Sequence, residues 1–202
     1  MYVEDRIMYH IHKEKFFPEL WKVGNTIEFN KVIKNEFMKF YDYQYFSINS
    51  PILGNKYLVE FMKNASKHSD FVQGDNIVLS LYDFLRLTKG FSYSCGFITE
   101  TIFEQVRNDS FSNYPSRFKC IWLCEESDIP YWKSQLSTES SVYKVRVTGE
   151  LHTADSSLLP GDTLNHDAIR KMARDYWNGI IKKNSSKEIL FSGKVDIIEK
   201  ME

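Results

Sequence analysis

The run Ser141-Val142-Tyr143-Lys144-Val145-Arg146-Val147-Thr148-Gly149-Glu150-Leu151-His152 constrains this chain most. Its apolar side chains recur at every second position, the period of a strand with one face buried. Such a strand needs neighbours, so the sequence must supply a sheet. Two other stretches can join it. Arg6-Ile7-Met8-Tyr9-His10-Ile11-His12 places Ile7, Tyr9 and Ile11 on one face and Met8, His10 and His12 on the other. Near the end, Glu188-Ile189-Leu190-Phe191 and Val195-Asp196-Ile197-Ile198 read as two short apolar runs hinged at Ser192-Gly193, a strand or a hairpin. A fourth, ring-rich strand is expected from Phe118 to Leu123, after the turn that Pro115 sets through its effect on Tyr114.

Helical periodicity fills the space between. Val32, Ile33, Phe37, Phe40 and Tyr41 mark a helix from Asn30 to Tyr45, and a second is expected from about Lys56 to Lys67. A third runs from Ser80 to Thr88. Lys89-Gly90-Phe91-Ser92-Tyr93-Ser94-Cys95-Gly96-Phe97 reads as a connector, and Thr99 to Arg107 as a short helix with capping-box spacing at Thr101 and Glu104. Ile129 to Leu136 is expected as a helix capped by Asp128, with Pro130 in its first turn. Thr153 to Leu164 reads as a polar loop. Asn165 to Ile181 is a helix capped by Asn165 or Asp167, with Ile169, Met172, Ala173, Tyr176 and Trp177 as its apolar stripe. The sum is an α+β fold: one domain over residues 1–202, with a mostly helical insertion at about 28–95.

A chain of 202 residues can bury a full core, and 15% aromatic content points to a ring-rich core or cleft. The net charge of −1 gives no global attraction to nucleic acid or to an anionic membrane. No apolar run reaches membrane-spanning length. Cys95, Cys120 and Cys124 lack the paired spacing of a zinc site and read as reduced, buried thiols. With no signal-peptide-like run at the start, a cytoplasmic protein is expected. His10 and His12, two apart on a strand, invite a metal, but no third ligand has matching spacing. His10 is then a core residue or a ligand contact. Glu188 by itself reads as a solvated edge charge.

The chain order of His10, then Pro115-Ser116-Arg117 leading into Phe118–Leu123, then Glu188 opening the last strand pair resembles the ADP-ribosyltransferase superfamily. More closely, the chain resembles a mostly bacterial family of uncharacterised proteins. The shared features are Tyr9-His10-Ile11, Trp21-Lys22-Val23-Gly24, Ile102 to Arg107, Tyr114-Pro115-Ser116-Arg117, Cys120-Ile121-Trp122-Leu123, Tyr131-Trp132, His152 to Asp155, Tyr176-Trp177 and Glu188-Ile189-Leu190-Phe191. They span nearly all of the chain outside about residues 45–95.

The resemblance implies a split β-sheet fold and NAD as a substrate. In that reading Glu188 is the catalytic carboxylate that stabilises an oxocarbenium-like ribose, and His10 positions NAD. Tyr9, Trp122, Tyr131 and Trp132 are candidates for an aromatic wall against the nicotinamide ring. Arg117 would bind pyrophosphate or anchor its turn through a salt bridge, and Ser116 would touch the ligand or stabilise the turn. No Ser-Thr-Ser run is present, and Ile11 follows His10 where many members have glycine or threonine. Ser186 stands two before Glu188 where arginine-modifying members carry Glu or Gln, so the acceptor is expected to be another amino acid, a nucleic acid, a small molecule or water. Two alternatives use other chemistry. One is a catalytically silent nucleotide-binding module. The other is an RNA-directed enzyme, which needs Lys13, Lys15, Arg117, Lys119, Lys182 and Lys183 to converge.

Overall fold

The computed structural model describes residues 1–14, 16–29, 47–50, 54–57, 81–136, 140–160, 165–182 and 186–201. Its strands are β1 (Tyr2–Lys13), β2 (Thr26–Phe29), β3 (Ser47–Ser50), β4 (Gly54–Tyr57), β5 (Ile121–Leu123), β6 (Ser140–Asp155) and β7 (Lys187–Met201). Its helices are α1 (Leu81–Ser110), α2 (Ile129–Gln135) and α3 (His166–Trp177), with single 3-10 turns at Glu126–Asp128 and Ser156–Leu158. The fold mixes helices and sheet, as expected, and the main sheet is antiparallel. Five strands form the main sheet in the order β1-β6-β7-β2, with β5 also on β7, and β3 pairs with β4 in a small second sheet.

The alternating run lies within β6, the central strand, which pairs with β1 along one edge and β7 along the other. The Ser192-Gly193 hinge does not form. Residues 187–201 are one continuous strand, and Gly193 lies directly opposite Gly149 in the ladder. One edge of β7 is shared: Ile189, Leu190 and Phe191 pair with β5, and Gly193 to Asp196 pair with β2. Past the end of β5, Tyr9 N–H donates to the Cys124 carbonyl at 3.0 Å and Cys124 N–H to the Tyr9 carbonyl at 2.8 Å. Thus β1, β6, β7 and β5 close a ring of hydrogen-bonded strands.

The period of two then sorts the side chains. Met8, Tyr143, Val145, Val147, Leu151, Ile189, Phe191, Ile121 and Leu123 fill the inner face together with Trp21. Outward-facing Leu190 and Ala154 pack against Phe103 of α1 and Ile169, Ala173, Tyr176 and Trp177 of α3. Tyr9, Cys124 and Val142 form a third cluster with Ile129 and Trp132 of α2. Fully burying one such large apolar side chain contributes about 1.5–3 kcal/mol, so these layers fix where the polar residues between them sit.

Several expected boundaries shift. The connector over Lys89–Phe97 is helical, part of the 30-residue α1. Gly90 and Gly96 each lower helix propensity by about 1 kcal/mol. Burial of Cys95, Ile102, Phe103 and Val106 along the same helix offsets it. Thr101 is therefore inside a helix rather than at its start. Its hydroxyl donates to the Phe97 carbonyl at 2.8 Å, and Glu104 pairs with Arg107 instead of closing a capping box. The polar loop begins only after Asp155, because β6 continues to pair with β7 through that residue. Asn165 does cap α3, accepting from Ala168 N–H at 3.0 Å, whereas Asp128 makes no side-chain cap to α2. Lys56 and Tyr57, expected in a helix, pair in β4. The expected helix over 30–45 lies outside the described residues, as does most of the one over 56–67; within the 28–95 insertion the described residues are the end of β2, strands β3 and β4 and the start of α1.

Candidate functional site

Glu188 is the second residue of β7, on the outward face beside Leu190, and only 5% of it is exposed. It is not a solvated edge charge. Three neighbours come from three different elements. Trp122, on β5, donates its indole N–H to Glu188 Oε1. Arg117, from the turn before β5, donates through Nη1 to the same oxygen at 2.7 Å. Nη1 also donates to the Tyr176 hydroxyl on α3 at 2.6 Å. Glu100 of α1 takes the other edge of the guanidinium, accepting from Nε at 2.6 Å and from Nη2 at 2.8 Å. Glu188 Oε1 thus receives two donors, and no hydrogen bond among the described residues reaches Oε2.

Burial works against the charge on Arg117, but the attraction of Glu100 and then of Glu188 outweighs it, so the guanidinium stays cationic well above the usual arginine range. Burial raises the Tyr176 hydroxyl far above its ordinary value, so it remains a neutral phenol. Arg117 is 3% exposed and faces carboxylates, not solvent. Ser116 stabilises the turn beneath it. Its hydroxyl accepts from Phe118 N–H at 3.2 Å, and its carbonyl accepts from Lys119 N–H at 3.0 Å.

His10 lies on the inner face. Its Nδ1–H donates to the Trp122 carbonyl at 2.8 Å, and its ring stacks on Trp21 at 4.3 Å. Trp21 also stacks on His12 at 4.7 Å, and His12 Nε2–H donates to the Phe16 carbonyl at 2.6 Å. Strand β5 therefore stands between His10 and Glu188. Trp122 touches both: its carbonyl meets His10 on one side and its indole meets Glu188 on the other.

The remaining candidates gather on the outward side. Trp132 donates its indole N–H to the carbonyl of Lys187, next to Glu188, at 3.2 Å. Tyr131 packs edge-on against Trp132 and is 44% exposed, and Tyr9 belongs to the same cluster as Trp132. The structure thus brings Glu188, Arg117 and Trp122 into direct contact, sets Trp132, Tyr131 and Tyr9 beside them, and leaves His10 across the strand.

Among the described residues, no three His, Cys, Asp or Glu side chains are grouped to hold a metal ion. Cys95, Cys120 and Cys124 are free and buried. Burial raises the Cys120 thiol far above its ordinary value, and burial with Asp128 and Glu125 raises Cys124 to about 12. Neither is a thiolate nucleophile at neutral pH. No described helix is long and apolar enough to cross a membrane.

A family model described as "Protein of unknown function (DUF2441)" matches residues 8–202. The chain belongs to the DUF2441 family. The match takes in β1 from Met8 onward as well as β5 and β7, so the DUF2441 span includes His10, Arg117, Trp122 and Glu188. No curated protein matches the chain.

Three residues of this DUF2441 site are not among the expected site residues, although Tyr176 and His152 lie in stretches shared with the family. Tyr176 looks like one more apolar position of α3, and Glu100 like one more helical charge. Their partner, Arg117, is distant in sequence from both. His152 is a third. It stacks on Tyr114 at 4.5 Å, and its Nε2–H donates to the Tyr176 carbonyl at 3.2 Å.

The histidines make stability depend on pH. Burial lowers His10 to about 3 and His152 to about 4, and it lowers His12 as well. Each binds a proton near 6.5 when unfolded but stays neutral in the fold until lower pH. Their contribution is complete above 6.5 and is lost as pH falls toward 4 and then 3. Between these limits each histidine removes up to about 1.4 kcal/mol per pH unit. Urea-unfolding midpoints should fall steadily on acidification through this window; a flat profile would place the three rings in solvent.

Proposed function

We propose that this chain is an NAD-dependent ADP-ribosyltransferase acting on an acceptor other than arginine, with NAD glycohydrolysis as its water-directed form. The observation that carries the proposal is the state of Glu188: a buried carboxylate held by one oxygen, with no hydrogen bond to the other among the described residues, beside an indole and a second aromatic pair.

Leaving of nicotinamide breaks the bond to the ribose C1′ and builds positive charge on the ribose ring, as in glycoside hydrolysis. A fixed, poorly solvated anion stabilises that charge better than water does, because it needs no reorganisation. In this reading Glu188 faces the ribose through Oε2. Trp122, Trp132 and Tyr131 supply the ring surface for nicotinamide. Arg117, already paired with two carboxylates, holds Glu188 instead of pyrophosphate. His10 acts from across β5 by fixing the Trp122 carbonyl. The acceptor's nucleophilic atom then bonds to C1′, loses its proton, and completes the transfer.

A second reading has its own support. Glu188 is ion-paired with Arg117 and His10 is on the far side of a strand, an arrangement that also suits a silent nucleotide-binding module. One experiment separates the two. Labelled NAD is incubated with purified protein, with and without cell lysate. The wild type should release nicotinamide or transfer label, and Glu188→Gln should reduce this by about a hundredfold or more. NAD or ADP-ribose bound without turnover, equally well by both proteins, would favour the silent module. Neither binding nor consumption in any fraction would sink both.

A further inference from the structure

Strand β7 pairs with β6 from Lys187 to Met201, but with β5 only at Phe191, Leu190 and Ile189. That second ladder stops because β5 turns away. Cys124, which the register would bring opposite Glu188, bonds to Tyr9 of β1 instead. The peptide unit that runs from the Lys187 carbonyl to the Glu188 N–H therefore lies beyond the last β5 pair. Trp132 takes over at this point, donating its indole N–H to the Lys187 carbonyl at 3.2 Å. Helix α2 can bring it there because Ile129 and Trp132, three apart and so on one face, pack with Tyr9, Cys124 and Val142.

We infer that Trp132 is a positioning residue for Glu188. A peptide unit is planar from one Cα to the next, so a bond that fixes the Lys187 carbonyl also fixes the Glu188 Cα and the direction in which its side chain leaves the strand. The unit before it is gripped from the opposite edge, where Ser156 donates its N–H and its hydroxyl to the Ser186 carbonyl, each at 3.0 Å. Glu188 thus enters the strand with its backbone held from both sides. Without the Trp132 N–H, the unit keeps only its ties to β6 and can tilt about that edge. The consequence for a ribose rests on the proposed transferase activity; the hold on Glu188 does not. This task belongs to the N–H and is separate from the ring surface that Trp132 gives nicotinamide in that reading.

Two replacements remove the N–H and leave a ring. Trp132→Phe keeps one aromatic ring, and Trp132→benzothienylalanine keeps the fused shape with sulfur where the N–H stood. The first readout needs no substrate. Lysine is followed by glutamate only at Lys13-Glu14 and Lys187-Glu188, so ¹³C-carbonyl lysine with ¹⁵N-glutamate selects one amide at the site and one as reference. Both replacements should move the Glu188 amide and leave Glu14 in place. They should also move the Trp122 indole signal, which reports its bond to Glu188, toward its position in Glu188→Gln. The Trp177 indole, bonded to the Phe103 carbonyl, should stay where it is and so report an intact fold. A Trp122 signal that stays put in both folded variants overturns the inference. The second readout is NAD turnover. Both replacements should lower kcat about tenfold and leave KM within about twofold. A raised KM with unchanged kcat in the folded, NAD-consuming variants would leave Trp132 only its ring and also overturn the inference. If the wild type consumes no NAD, the transferase reading fails, and the spectra alone decide the role of Trp132.

Discussion

Arg117→Met should destabilise the protein by about 3–5 kcal/mol, enough to leave little folded chain at 37 °C. The reason is the company the side chain keeps. Glu100 and Glu188 are 6% and 5% exposed, and among the described residues Arg117 is the cation in direct contact with both. Removing it strands two buried carboxylates against each other, along with a Tyr176 hydroxyl that loses its donor. Methionine fills much of the volume, so the loss is electrostatic and not a cavity effect. The triple variant Arg117→Met, Glu100→Gln, Glu188→Gln should recover most of it, since neutral groups of the same shape leave no uncompensated charge. Urea unfolding of the two variants checks both statements. A single variant within about 1 kcal/mol of wild type would mean that the carboxylates reach water.

The second large effect belongs to the crossing of β6 and β7. Gly149 and Gly193 face each other with φ of +156° and +145°. A Cβ on Gly149 would lie 2.4 Å from the Ser192 carbonyl oxygen and 2.8 Å from Gly193 Cα. One on Gly193 would lie 2.5 Å from the Thr148 carbonyl oxygen and 2.8 Å from Gly149 Cα. These obstacles are backbone in the middle of the ladder and cannot swing aside. Either Gly→Ala change should cost about 3 kcal/mol or more. Gly24→Ala is the control: its φ is +91°, but nothing lies within 4 Å, so only conformational strain of about 1–2 kcal/mol applies. Equal losses at the three positions, measured by thermal or urea unfolding, would contradict the close approach.

The same glycine pair shows where the sequence misleads. Ser192-Gly193 between two apolar runs looks like a hinge because glycine commonly marks a turn. Its true cause is the backbone of Gly149, paired across the sheet and invisible in the local pattern. Strand β6 and helix α3 are legible because their periodicity and, for α3, the Asn165 cap are local signals that agree with the packing. Helix α1 is not, because its glycine- and serine-rich stretch is mostly exposed or half-buried, and the buried residues that hold the helix, Ile102, Phe103 and Val106, lie beyond it. At the site, Glu188 and Arg117 can be picked out by their place beside strands. The pairing of Arg117 with Glu100 cannot, since it crosses from the sheet layer to the helices. The chain order of His10 and Glu188 is legible too, but which way each points is not. Register shifts between Val3 and Arg6 in β1, and at Ile198 of β7 opposite Lys144 and Val145, change the face a residue occupies without changing the pattern around it.

Strand β5 is only three residues long, yet it is gripped on both sides, by β7 along its length and by β1 just past its end. Its middle residue is Trp122. One residue therefore joins two side-chain clusters, an aromatic one of His10 and Trp21 through its carbonyl and an ionic one holding Glu188 through its indole. Trp122→Phe should therefore remove the donor to Glu188 and leave in place the carbonyl that His10 holds on the other face.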